Sequence, residues 1–126
     1  MFNAIAYVLT RTPRYSQNVA SLIMTFFLDN VTGMNPNLNF GQVIRGPGAS
    51  GRTGTFTGIL DARGMVKVVN AIGIVRTANS PDWPALDGLM IKWANEYVSW
   101  LINSPSGKKA VTRPKFVFAL FCLHAR

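Results

Sequence analysis

Apolar residues recur at helical spacing along most of the chain, and the one long exception falls near its middle. Phe2, Ile5, Ala6 and Leu9 stand three and four apart, which predicts a helix over residues 2 to 10. Arg11-Thr12-Pro13-Arg14 reads as a short turn in which Thr12 can cap the next helix and Pro13 can occupy its first position. Tyr15, Val19, Leu22, Ile23, Phe26 and Phe27 then predict an amphipathic helix of about four turns, its aromatic stripe turned to the core. Residues 59 to 77 are apolar nearly all round. Their length and the lack of an internal turn predict one buried helix, although the β-branched content would also suit a strand. Asn79-Ser80-Pro81-Asp82-Trp83-Pro84 is a turn. After it Leu86, Leu89, Met90, Trp93, Ala94, Tyr97, Trp100 and Leu101 mark one face of a helix ending near Asn103, which Ser104-Pro105-Ser106-Gly107 stops.

Short turns between helices imply antiparallel neighbours, so the pattern predicts an all-α chain of stacked antiparallel helical hairpins. Two hairpins leave wide apolar faces uncovered, and further hairpins are expected in a longer parent or in a partner chain. The first helix follows Met1 without a capping residue and is expected to begin in mid-helix.

The exception is the stretch from 34 to 63, which has no hydrophobic period and concentrates Asn, Gly, Gln and Arg. Polar, glycine-rich loops held on rigid elements are where binding groups tend to sit, although a solvated linker has the same composition. Asn35, Asn37, Asn39, Gln42, Arg45, Arg52 and Arg63 supply directional donors and fixed positive charge, opposed only by Asp61. That set suits an anionic, hydroxyl-rich ligand. Arg63 is expected one turn into a buried helix, where an unpaired guanidinium is costly, so that either Asp61 pairs with it or it faces a ligand. Asp61 itself is expected at the start of that helix.

Thirteen Lys and Arg against five Asp and Glu give a net charge of +8, which argues against a basic partner. No basic run exceeds Lys108-Lys109, which disfavours nucleic acid, and no apolar run is long enough to cross a bilayer. Lone Cys122 excludes an internal disulfide and, without companion ligands, a cysteine-based zinc site. No metal ligand and no cofactor is assigned. The only histidine, His124, lies near the end of the sequence at Arg126 and is a poor candidate base; Tyr7, Tyr15 and Tyr97 fall on helical core patterns. Gly46-Pro47-Gly48-Ala49-Ser50-Gly51-Arg52-Thr53 nearly fits two phosphate-binding patterns, but both need a buried strand before the loop and a helix directly after it. Phe40 to Ile44 is a poor strand, and Thr53 to Gly58 is a poor helix start. Asn30-Val31-Thr32 is a sequon compatible with a secreted parent.

Several of these runs resemble a known family. Thr12-Pro13-Arg14-Tyr15, Phe27-Leu28-Asp29, Met34 to Gln42, Gly51-Arg52-Thr53-Gly54 and Thr57 to Arg63 resemble the alginate lyase domain of the polysaccharide lyases, in particular the fungal versions. So do Trp93 to Leu101 and Ser104 to Lys108. The resemblance covers residues 1 to 114 and implies a partial (α/α) toroid of helical hairpins. It further implies β-elimination on an anionic, uronate-containing polysaccharide, a reaction in which the sugar carboxylate is neutralised, a base takes the C5 proton and an acid protonates the leaving oxygen. The groove residues it points to are Asn37, Asn39, Gln42, Arg52 and Arg63.

In the family an Asn-Asn-His-Gly motif, followed closely by Tyr or Trp-Tyr, supplies the carboxylate neutraliser and the acid and base. Here Lys115 to Arg126 stands where that motif begins, and nothing in it matches. The reading is therefore residues 1–114 as a partial lyase domain and residues 115–126 as an unrelated tail, the alternative for the tail being a genuine short helix. No catalytic residue is assigned and the chain is expected to be inactive. The resemblance implies a secreted or, in bacterial relatives, periplasmic parent, although the first residues here do not have the pattern of a signal peptide. Two other readings stay open: a non-catalytic helical module binding anionic glycans or a protein, and phosphate binding by the loop from Gly46 to Thr53.

Overall fold

The structure, a computed structural model, describes residues 1–43, 45, 46, 48, 51 and 53–112. Among them the regular elements are helices only: α1 (Phe2–Thr10), α2 (Pro13–Ile23), α3 (Thr57–Asp61), α4 (Met65–Thr77), α5 (Pro84–Asn103) and α6 (Pro105–Val111), with a π-turn at Met24–Leu28 and a 3-10 turn at Ala62–Gly64. The described residues are all-α, as the hydrophobic period predicts.

The described residues fall into two compact units. The first comprises Met1–Pro36 and Met65–Asn95, the second Asn37–Gly64 and the described residues from Glu96 onward. Helix α5 supplies residues to both.

In the first unit α1 packs on α2 and on α4. Helix α1 ends because Arg11 turns left-handed (φ 54°) and its N–H donates back to the carbonyl of Tyr7 at 2.8 Å. The Arg11 guanidinium lies 5.8 Å above the Tyr7 ring and donates to the carbonyl of Ala78 at 2.9 Å, tying this turn to the end of α4. Thr12 takes the extended N-cap conformation with Pro13 at the first helical position, as expected, yet its side chain makes no cap bond. Fully buried Ser16, in the first turn of α2, has the carbonyl of Pro13 and the carboxylate of Asp82 as acceptors for its hydroxyl. The core here is Ala4, Tyr7, Val19, Ile23, Ala71, Val75, Trp83, Leu86, Met90 and Trp93.

The aromatic stripe expected along residues 15 to 27 is only partly core. At Met24–Leu28 the helix widens into a π-turn, with Asp29 N–H donating to the Met24 carbonyl five residues back. The extra residue rotates the chain beyond it against the 3.6-residue stripe. Phe27 meets Trp93 edge-on, with ring centroids 4.9 Å apart, while Phe26 is left 58% exposed and Leu22 is exposed too. Trp93 also fixes the segment after this turn, its indole N–H donating to the carbonyl of Met34 at 2.8 Å.

The single buried helix predicted over 59 to 77 is corrected to two helices. Helix α3 ends at Asp61, and Ala62–Gly64 tighten into a 3-10 turn before α4 begins, at the point where Gly64 makes continuous helix costly. Ile59, Ala71 and Val75 are buried, but Leu60, Val66 and Val69 are exposed. The stop predicted at Ser104 to Gly107 is also a start. Ser104 caps α6, its hydroxyl oxygen accepting from the Gly107 N–H at 3.0 Å, with Pro105 at the first helical position. In the second unit Ile59 and Ala110 are buried together, with Leu38, Trp100 and Leu101 packed against them, and α3 lies on α6.

Candidate functional site

In the second unit the backbone at Asn39 and Gly41 is tied to that at Gly54 and Thr55, ahead of α3. The N–H of Gly54 donates to the carbonyl of Asn39 at 2.6 Å, and the N–H of Thr55 to the carbonyl of Gly41 at 2.9 Å. These two rungs require backbone to lie directly on backbone. A methyl group on Gly54 would come within 2.6 Å of the Gly41 carbonyl oxygen, and one on Gly58 within 2.7 Å of the Gly41 carbonyl carbon. The glycines thus make the closure possible. The Thr55 hydroxyl adds a third tie, donating to the carbonyl of Gln42 at 3.2 Å, and Gln42 reaches this position with a left-handed backbone, φ 52°.

On this frame Asn37, Asn39 and Gln42 succeed one another. Half-buried Asn37 uses its side-chain oxygen to accept from the Asn39 N–H at 3.2 Å, an Asx turn that fixes the loop. Asn39 is exposed, and its Oδ1 accepts from the indole N–H of Trp100 at 2.8 Å. With the oxygen so engaged, the amide NH2 carries the free donors. Gln42 is exposed and donates through Nε2 to the carboxylate of Asp61.

The expected place of Asp61 is corrected, and of the two alternatives for Arg63 the ion pair with Asp61 is not formed. Asp61 ends α3 instead of opening a helix, and it accepts from Gln42 instead of pairing with Arg63. Arg63 stands in the 3-10 turn, exposed, and no described residue pairs with its guanidinium. Exposure removes the cost of a buried charge that was expected there and leaves all five N–H donors to solvent or ligand. Arg52 lies outside the described residues, as do Pro47, Ala49 and Ser50 of the glycine loop and the tail from 113 to 126. Phe40 and Gly41 lie in a turn and residues 53–56 are not helical, so among the described residues neither the strand nor the helix that phosphate binding needs flanks that loop.

Trp100 is the residue that sequence reasoning left in the core. It does pack against Ile59 and Ala110, but its polar edge holds Asn39, and its ring stacks on Tyr97 with centroids 6.1 Å apart and planes at 30°. Their spacing of three along α5 was a signal, since it puts both rings on one helix face. Burial raises the Tyr97 phenol above its usual pKa, so the ring stays neutral. In the same unit the Lys109 ammonium lies 5.4 Å from the centre of the Phe56 ring. The arrangement therefore offers amide donors, an unpaired guanidinium and aromatic rings, a set suited to hydroxyls and carboxylates of a sugar chain. Among the described residues no group of His, Cys, Asp and Glu could hold a metal ion.

The family model described as Alginate lyase matches residues 2–114. The chain belongs to the alginate lyase family. A solved alginate lyase from Bacteroides ovatus superposes on it with a TM-score of 0.79 at 27% sequence identity, covering 88% of this chain and 28% of that one. The chain thus spans less than a third of that alginate lyase's length. No curated protein matches it. The fold class expected from the resemblance, an all-α chain of the helical toroid type, agrees with the similarity to this alginate lyase. No described helix is long and apolar enough to cross a membrane.

Proposed function

We propose that residues 1–114 are part of an alginate-lyase-like domain that binds uronate-containing polysaccharide along the loop from Asn37 to Arg63, and that residues 115–126 lie outside that domain. The observation that carries this reading is the pinning of Asn39 by Trp100, which holds an amide donor on a closed loop in the segment whose sequence most resembles the family. Asn39 and Gln42 bond sugar hydroxyls, Arg63 and Arg52 offset uronate charge, and Asn37 fixes the turn that presents them. The Gln42 to Asp61 hydrogen bond leaves one Nε2 hydrogen and Oε1 of Gln42 for a ligand.

β-Elimination additionally needs a base at C5 and an acid at the leaving oxygen. Lys115 to Arg126 stands where the family's Asn-Asn-His-Gly motif would begin and does not match it. On this reading the 126-residue chain binds without cleaving, and the parent enzyme acts outside the cell or in the periplasm. The test is to mix the purified chain with alginate and measure both retention and ultraviolet absorbance of unsaturated product. Retention with flat absorbance is expected; turnover overturns the assignment of inactivity, and absence of retention overturns the groove.

A second reading is favoured by the apolar surface of α1. Phe2 is 88% and Leu9 77% exposed, which suits a helical module docked on a protein partner. That reading predicts a monodisperse, cooperatively melting species that ignores alginate.

A further inference from the structure

The first unit carries a feature that polysaccharide binding does not use. We propose that Asn30 is an acceptor for an N-linked glycan, added when the chain passes through a glycosylating secretory compartment, an inference that rests on the secreted location proposed above. Asn30-Val31-Thr32 is the only Asn-X-Ser/Thr triplet in the sequence, X being other than proline.

The structure adds three observations. The triplet occupies the turn just past the π-turn, outside any helix, and Asn30 is exposed beside Val31, which is 92% exposed. The turn is built without the Asn30 side chain. Asp29 Oδ1 accepts from the N–H groups of Val31 and Thr32, both at 2.8 Å, and Gly33 N–H donates to the Asp29 carbonyl at 2.9 Å. The Thr32 hydroxyl donates to the carbonyl of Thr25 at 2.7 Å. No described residue hydrogen-bonds the exposed Asn30 amide, so a substituent there breaks no described hydrogen bond.

In the transfer, Nδ2 of Asn30 bonds to the anomeric carbon of an oligosaccharide carried on a lipid pyrophosphate. The bond from that carbon to the pyrophosphate oxygen breaks, the lipid pyrophosphate leaves with the electron pair, and the amide loses one proton to the transferring enzyme.

The test expresses the full 126-residue chain behind a secretion leader in yeast, with occupancy read on retained and secreted protein together. Forcing the route separates the acceptor question from the natural location. One shifted band, collapsed by peptide N-glycosidase with deamidation of Asn30, is expected. Asn30→Gln removes the shift, and Thr32→Ser keeps both the shift and a hydroxyl for Thr25. An unshifted wild-type band overturns the proposal, as does a melting midpoint that rises when the glycan is removed, because that would mean the glycan disturbs packing. Alginate retention of the same samples tests the polysaccharide reading separately, and Asn30→Gln leaves it unchanged.

Discussion

The indole N–H of Trp100 donates to the side-chain oxygen of Asn39 at 2.8 Å, across a separation of 61 residues. This one bond decides which end of the Asn39 amide faces outward. Asn39→Asp keeps an oxygen for Trp100 but replaces the outward donors with charge. It is expected to fold normally and to bind alginate about tenfold or more weakly, a loss of about 1.4 kcal/mol. Trp100→Phe removes the anchor and is expected to cost about 1 kcal/mol of stability in urea titration as well as affinity. Equal affinity of Asn39→Asp and wild type would remove Asn39 from the groove.

Glycines of the closed loop and glycines of the helices respond to alanine with opposite sign. At Gly54 the new methyl would lie 2.6 Å from the Gly41 carbonyl oxygen, so the two rungs cannot both survive. A loss of about 2 kcal/mol or more is expected. At Gly73, inside α4, the added atom meets nothing within 4 Å. Gly73→Ala is expected to raise stability by up to about 1 kcal/mol, read as a higher denaturation midpoint.

Arg63 offers its charge to solvent, in a chain whose formal net charge is +8. Binding of a polyanion by such a surface weakens as salt rises, because ions screen exposed charge. Arg63→Gln is expected to lower alginate affinity at low salt and to flatten its salt dependence. Affinity indifferent to both salt and Arg63 would point to recognition by uncharged donors alone.

Two carboxylates shape the response to acid. The Arg76 hydrogen bond, chiefly, holds Asp87 below the usual value of 3.8, against opposing desolvation and with help from the Trp83 indole. The backbone N–H of Thr32, then that of Val31, lowers Asp29 likewise. A carboxylate with a depressed folded pKa stabilises the fold fully above its unfolded value, and that contribution is lost as pH falls through the folded pKa. Melting midpoints measured downward from neutrality should therefore hold until about pH 4 and then fall. Asp87→Asn is expected to lower the plateau and make the acid limb shallower.

Helices α1, α2 and α5 were legible because each repeats its apolar positions over several turns and Pro13 marks a start. The break at Ala62–Gly64 was not, since residues 59 to 77 are apolar on every side and a uniform pattern carries no phase from which to detect rotation. Ser104-Pro105 was read only as a terminator, although the same pair serves as a cap and first residue. The polar loop announced itself by composition, but its internal partners did not. Asp61 stands two residues from Arg63 and nineteen from Gln42, and proximity in sequence offered the nearer one as a partner while the structure pairs the farther. Trp100 lay on a helix face that periodicity assigned to packing, and the periodicity of its neighbours could not report what its indole edge would meet.

The two backbone rungs between Asn39, Gly41, Gly54 and Thr55 have a thermodynamic corollary. If the proposed polysaccharide binds there, its groups meet backbone already tied by those hydrogen bonds, so association should show little of the heat-capacity signature of coupled ordering. On that reading, discrimination between sugars rests on where their oxygens fall against Asn39 and Gln42.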